Sequence, residues 1–156
     1  MNRTVARALA TIGVGAALLG AASPALAAKP LKVRGGGVLY NGGGGGFGGF
    51  EQFAGTVRGT MGQASYHVEV TYACTMTGTT SCTHQFSATF ATKNGTLSVV
   101  GPDLAGFSLD VDGPFTVVGG TGTYAGATGS GTAMSVFDPV SQHQTLTLTG
   151  TMVLLR

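Results

Sequence analysis

The sequence predicts an all-β protein, an eight-stranded antiparallel β-barrel, with a two-sheet sandwich as the runner-up. Three observations lead there. From residue 50 onward Thr, Val, Phe and Tyr are frequent and apolar residues alternate with polar ones, the period of half-buried strands. No window shows apolar residues at helical spacing between helix caps. Turn chemistry recurs at short intervals, and consecutive antiparallel strands on short connections leave exposed edges unless the sheet closes on itself.

The elements follow in order. Residues 1–27 read as a signal peptide. Arg3 and Arg7 precede a short apolar run, Pro24 breaks it, and Ala25-Leu26-Ala27 is a small-x-small cleavage site. The run is too short and too rich in Gly and Ala for a membrane anchor, which needs about 20 apolar residues. The expected location is secreted, and the chain is not expected to span a membrane after cleavage. Residues 28–49, with Gly35-Gly36-Gly37 and five consecutive glycines from Gly42, read as a flexible glycine-rich linker. The barrel is expected over 50–156.

The first strand is expected at 53–60. The second, 65–76, places Tyr66, Val68, Val70, Tyr72, Cys74 and Met76 on one face and His67, Glu69, Thr71 and Thr75 on the other. Residues 77–81 form a loop, and 82–92 the third strand, with Phe86, Ala88 and Phe90 on one face. Asn94-Gly95 is a hairpin turn. It also begins a glycosylation sequon, which the turn explains without sugar. Strands follow at 96–100 and 107–112, where Phe107, Leu109 and Val111 alternate with Ser108, Asp110 and Asp112. Asp112-Gly113-Pro114 reads as a turn, then strands at 115–118, 124–137 and 143–155.

Charge narrows the functional classes. The chain has 8 Lys+Arg and 6 Asp+Glu, and cleavage after Ala27 removes two arginines, leaving a balanced mature chain. That gives no support for a nucleic-acid partner. Lys29, Lys32 and Arg34 cluster at the mature N-terminus, as a solvated tail or a weak contact with an anionic cell-envelope polymer. Two cysteines in an exported chain favour a disulfide, and Cys74 and Cys82 share the parity that lets them meet across one hairpin. The rival reading makes Cys74, Cys82 and His84 metal ligands, but the spacing does not fit a zinc site.

The segment 117–132, VVGGTGTYAGATGSGT, resembles a signature of the allene oxide cyclase-like and dirigent-like β-barrels. Its motif residues are Gly119, Gly120, Thr121, Gly122, Tyr124 and Gly126. The resemblance implies an eight-stranded barrel, often trimeric, whose apolar lumen holds a small hydrophobic molecule. Plant dirigent proteins steer radical coupling of phenols, and allene oxide cyclases steer closure of an oxidised fatty acid. The position after Gly122 is often basic in such relatives and is Thr123 here. Their acidic and basic pocket residues find no position-by-position match. The resemblance therefore implies fold and cavity, not catalysis.

No residue pattern identifies a reaction or calls for a cofactor or a metal. Gly120-x-Gly122 lacks the following helix of a dinucleotide site. Gly129-Ser130-Gly131 is not a nucleophile elbow. Asp110 and Asp112 alternate with apolar residues and are expected to face water. His67 is expected outside. His84 shares the parity of Phe86 and is the titratable side chain to watch. The cavity candidates are Tyr66, Tyr72, His84, Phe86, Phe90, Phe107 and Phe115. The expectation is a non-catalytic module, either binding a small hydrophobic ligand or serving as an extracellular structural unit. The alternative is a dirigent-like or cyclase-like enzyme that confines a reactive intermediate.

Overall fold

The computed structural model describes residues 27–45, 47–77, 79–102 and 111–155. Eight strands close into one antiparallel barrel: β1 Lys29–Gly45, β2 Gly48–Gly59, β3 Gly62–Thr77, β4 Thr79–Thr92, β5 Gly95–Pro102, β6 Val111–Gly120, β7 Thr128–Asp138 and β8 His143–Val153. Each strand pairs with its neighbours in sequence, and β1 pairs with β8 to complete the ring. The predicted class and strand number hold, but the membership differs.

The segment expected to be a linker is β1. Its backbone is paired on both sides, to β2 and β8, so the barrel begins at Lys29. Two features hide this strand from a period-2 reading. Glycines occupy lumen-facing positions where apolar residues would otherwise mark the face. A β-bulge between Leu39 and Asn41 then shifts the parity, with Tyr40 as the extra residue. The inward set runs through Leu31, Val33, Gly35, Gly37 and Leu39, and resumes at Gly42 and Gly44.

The expected strand at 107–112 lies outside the described residues except for Val111 and Asp112. Those two belong to β6, and the turn expected at Asp112-Gly113-Pro114 is instead strand. These three residues pair with Met134, Ala133 and Thr132. Among the described residues, β5 pairs with β6 only from Thr116 onward. The expected loop at 77–81 is mostly ladder, with pairing reaching Thr77 and Thr79. The strand expected from Tyr124 begins at Thr128.

Inward residues of all eight strands make one core, including Leu31, Phe53, Val57, Tyr66, Phe90, Leu97, Phe115 and Leu148. Cys74 and Cys82 stand directly opposite across β3 and β4 and are disulfide-bonded, which removes the metal-ligand alternative for these thiols. The bridge closes a loop of only 8 residues. Its entropic contribution is therefore modest, about 2 kcal/mol.

A repeated packing rule organises the wall. Tyr66 on β3 faces Gly55 on β2, Gly55 faces Gly37 on β1, and Gly37 faces Gln144 on β8. The Tyr66 phenol lies across both glycines and donates to Gln144 Oε1 at 3.4 Å. A Cβ on Gly37 would stand 2.7 Å from that phenol oxygen and 2.4 Å from the Ala54 carbonyl. Tyr72 repeats the arrangement over the paired Gly49 and Gly44. Phe115 repeats it over Gly131, which pairs with Gly150. In each case the ring supplies the volume that the glycines lack.

Gly37→Ala is expected to lower unfolding free energy by about 1–3 kcal/mol, the usual range for overpacking. Gly45→Ala, whose added Cβ meets nothing within 4 Å, is expected to stay within about 0.5 kcal/mol of the parent. Urea denaturation of the two variants checks this. Equal stability of both would show that the Tyr66 row is not tightly packed.

Candidate functional site

The two ends of the barrel differ in chemistry. One end gathers β6 to β7, the β4–β5 turn and the start of β1. Here lies the glycine motif. The β5–β6 register skips Val118, which makes a bulge, and Gly119 adopts φ +113°, a conformation side chains resist. Thr121 caps the neighbouring strand: its Oγ1 accepts from Thr96 N at 3.0 Å and lies 2.9 Å from Thr96 Oγ1. Thr123 N donates to Asn94 O at 2.9 Å. Gly122–Tyr124 forms one 3-10 turn that buries Tyr124 at the barrel end. Thr123 itself is exposed. The motif is a corner, as expected, and its residues build the end of the barrel; apart from the buried Tyr124 phenol they supply no ionisable group.

The opposite end gathers Tyr72, His84 and Glu51. Tyr72 and His84 are register partners on β3 and β4, with ring centroids 6.0 Å apart. His84 is buried and faces inward, as its parity predicts. Glu51 on β2 also faces inward, between Gly42 and Val70. Burial pushes its carboxyl above the usual range, and the nearby His84 pulls it back. The Glu51 carboxyl thereby holds its proton more tightly than an exposed glutamate does. The Cys74–Cys82 bridge lies just beyond this group on the same hairpin.

Deeper along the wall, Tyr66 stacks on Phe90 with centroids 6.2 Å apart. Burial pushes its phenol up to about 12, so it remains a neutral hydrogen-bond donor. Gln144 is fully buried and Ser135 nearly so. Three buried polar atoms facing this interior, Glu51 Oε2, Ser135 Oγ and Gln144 Nε2, find no hydrogen-bond partner among the described residues. Such atoms carry a desolvation cost unless water or a ligand meets them.

Of the sequence-predicted cavity residues, Tyr66, His84, Phe86, Phe90 and Phe115 are buried and inward, and Tyr72 is half-buried. Phe107 lies outside the described residues. His67 faces outward, and its Nδ1 lies 2.8 Å from the Tyr40 hydroxyl. Asp112 is exposed, as expected; Asp110 lies outside the described residues. Sequence reasoning missed Glu51, Ser135 and Gln144. Each has an apolar same-face neighbour two positions away, Phe53, Ala133 and Leu146, so a polar residue in the apolar register was the available signal. Among the described residues, no three His, Cys, Asp or Glu side chains gather as a metal site. No described helix is long and apolar enough to cross a membrane.

No family model and no curated protein matches the chain in sequence. Solved structures match it in fold. The pterocarpan synthase dirigent protein PsPTS1 is similar with a TM-score of 0.54 and 13% identity, over 83% of this chain and 97% of that one. The pterocarpan synthase dirigent protein GePTS1 is similar with a TM-score of 0.51 and 12% identity, over 83% of this chain and 86% of that one. The chain therefore carries the dirigent-protein fold, a closed antiparallel barrel of eight strands.

Proposed function

We propose that this protein is an exported barrel that binds a small, mainly apolar molecule carrying a hydroxyl or carbonyl group in its lumen. The observation that carries the reading is the set of orphaned polar atoms of Glu51, Ser135 and Gln144 inside an aromatic wall. Aromatic rings supply apolar contact, and a few fixed polar groups orient the ligand, the usual composition of a small-molecule site. The leader at 1–27 and the Cys74–Cys82 bridge support an oxidising, extracellular setting.

A second reading is favoured by Glu51 beside His84. An inward carboxyl with a raised pKa next to a histidine can donate or accept a proton from a confined intermediate. On this reading the barrel steers a reaction, and most of the effect comes from confinement and orientation. The two similar structures are named as synthases of the dirigent type, which supports testing phenolic substrates first.

Three outcomes check these readings. Native mass spectrometry with a phenolic probe and a fatty-acid-derived probe is expected to show a one-to-one adduct. Gln144→Leu should weaken the hydroxylated probe about tenfold, the value of one hydrogen bond to a buried partner, while a fully apolar analogue is unchanged. No adduct with either probe would remove the binding reading. For the second reading, phenoxyl radicals generated by an added oxidant are expected to couple with an enantiomeric excess that Glu51→Gln abolishes. Racemic product from the parent protein would count against it.

The pH dependence of stability follows from Glu51. Its folded-state pKa lies above the ordinary carboxylate value of 4.5. The folded state therefore binds this proton more tightly than the unfolded state does. The associated stability is present below pH 4.5 and is lost as pH rises through the folded value. Glu51→Gln should leave the melting temperature nearly unchanged at pH 4 and raise it at pH 7. A melting temperature lowered equally at both pH values would contradict this account.

A further inference from the structure

We propose that the outer face of β1 and β2 is a docking surface for a linear phosphate-bearing polymer. The residues concerned take no part in the lumen. Lys32 and Arg34 point outward from β1, Arg58 points outward from β2, and all three are exposed. Arg34 and Arg58 are direct register partners. Like charges opposite one another destabilise a sheet, so the fold keeps this pair at a cost to itself. The three cations border one shallow groove of about 320 Å³, completed by Thr147 and Thr149 of β8. Arg34 faces Thr147 and Lys32 faces Thr149. Among the described residues, no carboxylate occupies an outward position on β8, β1 or β2, so this charge has no internal counterweight on its own face.

The shape of the patch selects the partner. Lys32 and Arg34 lie about 7 Å apart along β1, at about 3.3 Å per residue, and Arg58 lies beside Arg34 on the next strand. Three cations over that span exceed the charge of one phosphate, about −1.5 to −2, and so match successive phosphates of one chain better than a single small anion. Adjacent guanidinium groups and threonine hydroxyls together present more donors than the two oxygens of a carboxylate accept. A phosphate has more acceptor oxygens and takes both kinds of donor at once. The balanced charge of the mature chain makes the concentration of cations here a local feature, not a consequence of a basic protein.

The probe is inorganic polyphosphate, titrated into the purified protein at low salt by calorimetry. Binding is expected, and raising sodium chloride from about 50 to about 200 mM should weaken it by about tenfold or more. The double variant Arg34→Gln/Arg58→Gln should lose about tenfold or more in affinity. Lys93→Gln, at the β4–β5 turn across the barrel, should bind as the parent does. Removing the like-charge pair should leave the melting temperature equal or slightly higher, which separates lost binding from lost folding. The proposal fails if polyphosphate does not bind, or if the double variant binds as the parent does. It also fails if free inorganic phosphate or a carboxylate polymer such as polygalacturonate binds as tightly as polyphosphate.

Discussion

The rest of this structure depends on how large rings and glycines share the barrel wall. A small barrel has little interior, and side chains from every strand compete for it. Here Tyr66, Tyr72 and Phe115 lie along the inner wall, across strands that present glycine to them. The glycines weaken their strands as isolated elements, because they add no packing and lose more entropy on folding. The rings return that loss as buried area and hold the wall closed. Pairing Gly55 with Gly37 is thus a packing feature. It gives the Tyr66 phenol a path to Gln144 on the strand that completes the ring with β1.

That constraint explains the separation of the two ends. The glycine motif, with its bulge at Val118 and the buried Tyr124, builds one end of the barrel. The ionisable groups Glu51 and His84 gather at the other, beneath the Cys74–Cys82 bridge. A signature at the first end therefore carries architecture and says nothing of the chemistry at the second. The absence of a basic residue at Thr123 leaves the Glu51–His84 end unaffected for the same reason: Thr123 is exposed at the far end and binds the Asn94 carbonyl through its backbone.

Much of the fold was legible because alternation reports a half-buried sheet directly. The faces of β3 and β4 follow it residue by residue, and the parity of Cys74 and Cys82 identified their pairing. What escaped did so for three physical reasons. In β1, glycines replaced the apolar marks and the bulge at Tyr40 shifted the phase, so a paired strand looked like a linker. At Asp112-Gly113-Pro114, strong turn residues were overridden by the β7 ladder, which pairs all three with Met134, Ala133 and Thr132. At Glu51, Ser135 and Gln144, polar side chains occupy inward positions, and a reading that equates inward with apolar passes over the residues that matter most to a site. The count of eight strands agreed although β1 was missed, because Val111 and Asp112, read as the end of a separate strand, run on with 115–118 in the single strand β6.

The same alternation that reveals the fold also lets two surfaces develop independently. Along β1, Arg34 faces out while Gly35 faces in, and along β2, Arg58 faces out while Val57 faces in. Neighbouring residues thus serve opposite sides of one wall, with the backbone ladder between them. A change to an outward side chain leaves the lumen's volume and polar atoms untouched, because its side chain never enters the ring–glycine packing. The glycine rows are the exception. There the wall is as thin as a backbone, and any inward side chain added at Gly37 or Gly49 must displace a ring. The lumen is tightly constrained by its own construction, while the outer face is free to acquire charge.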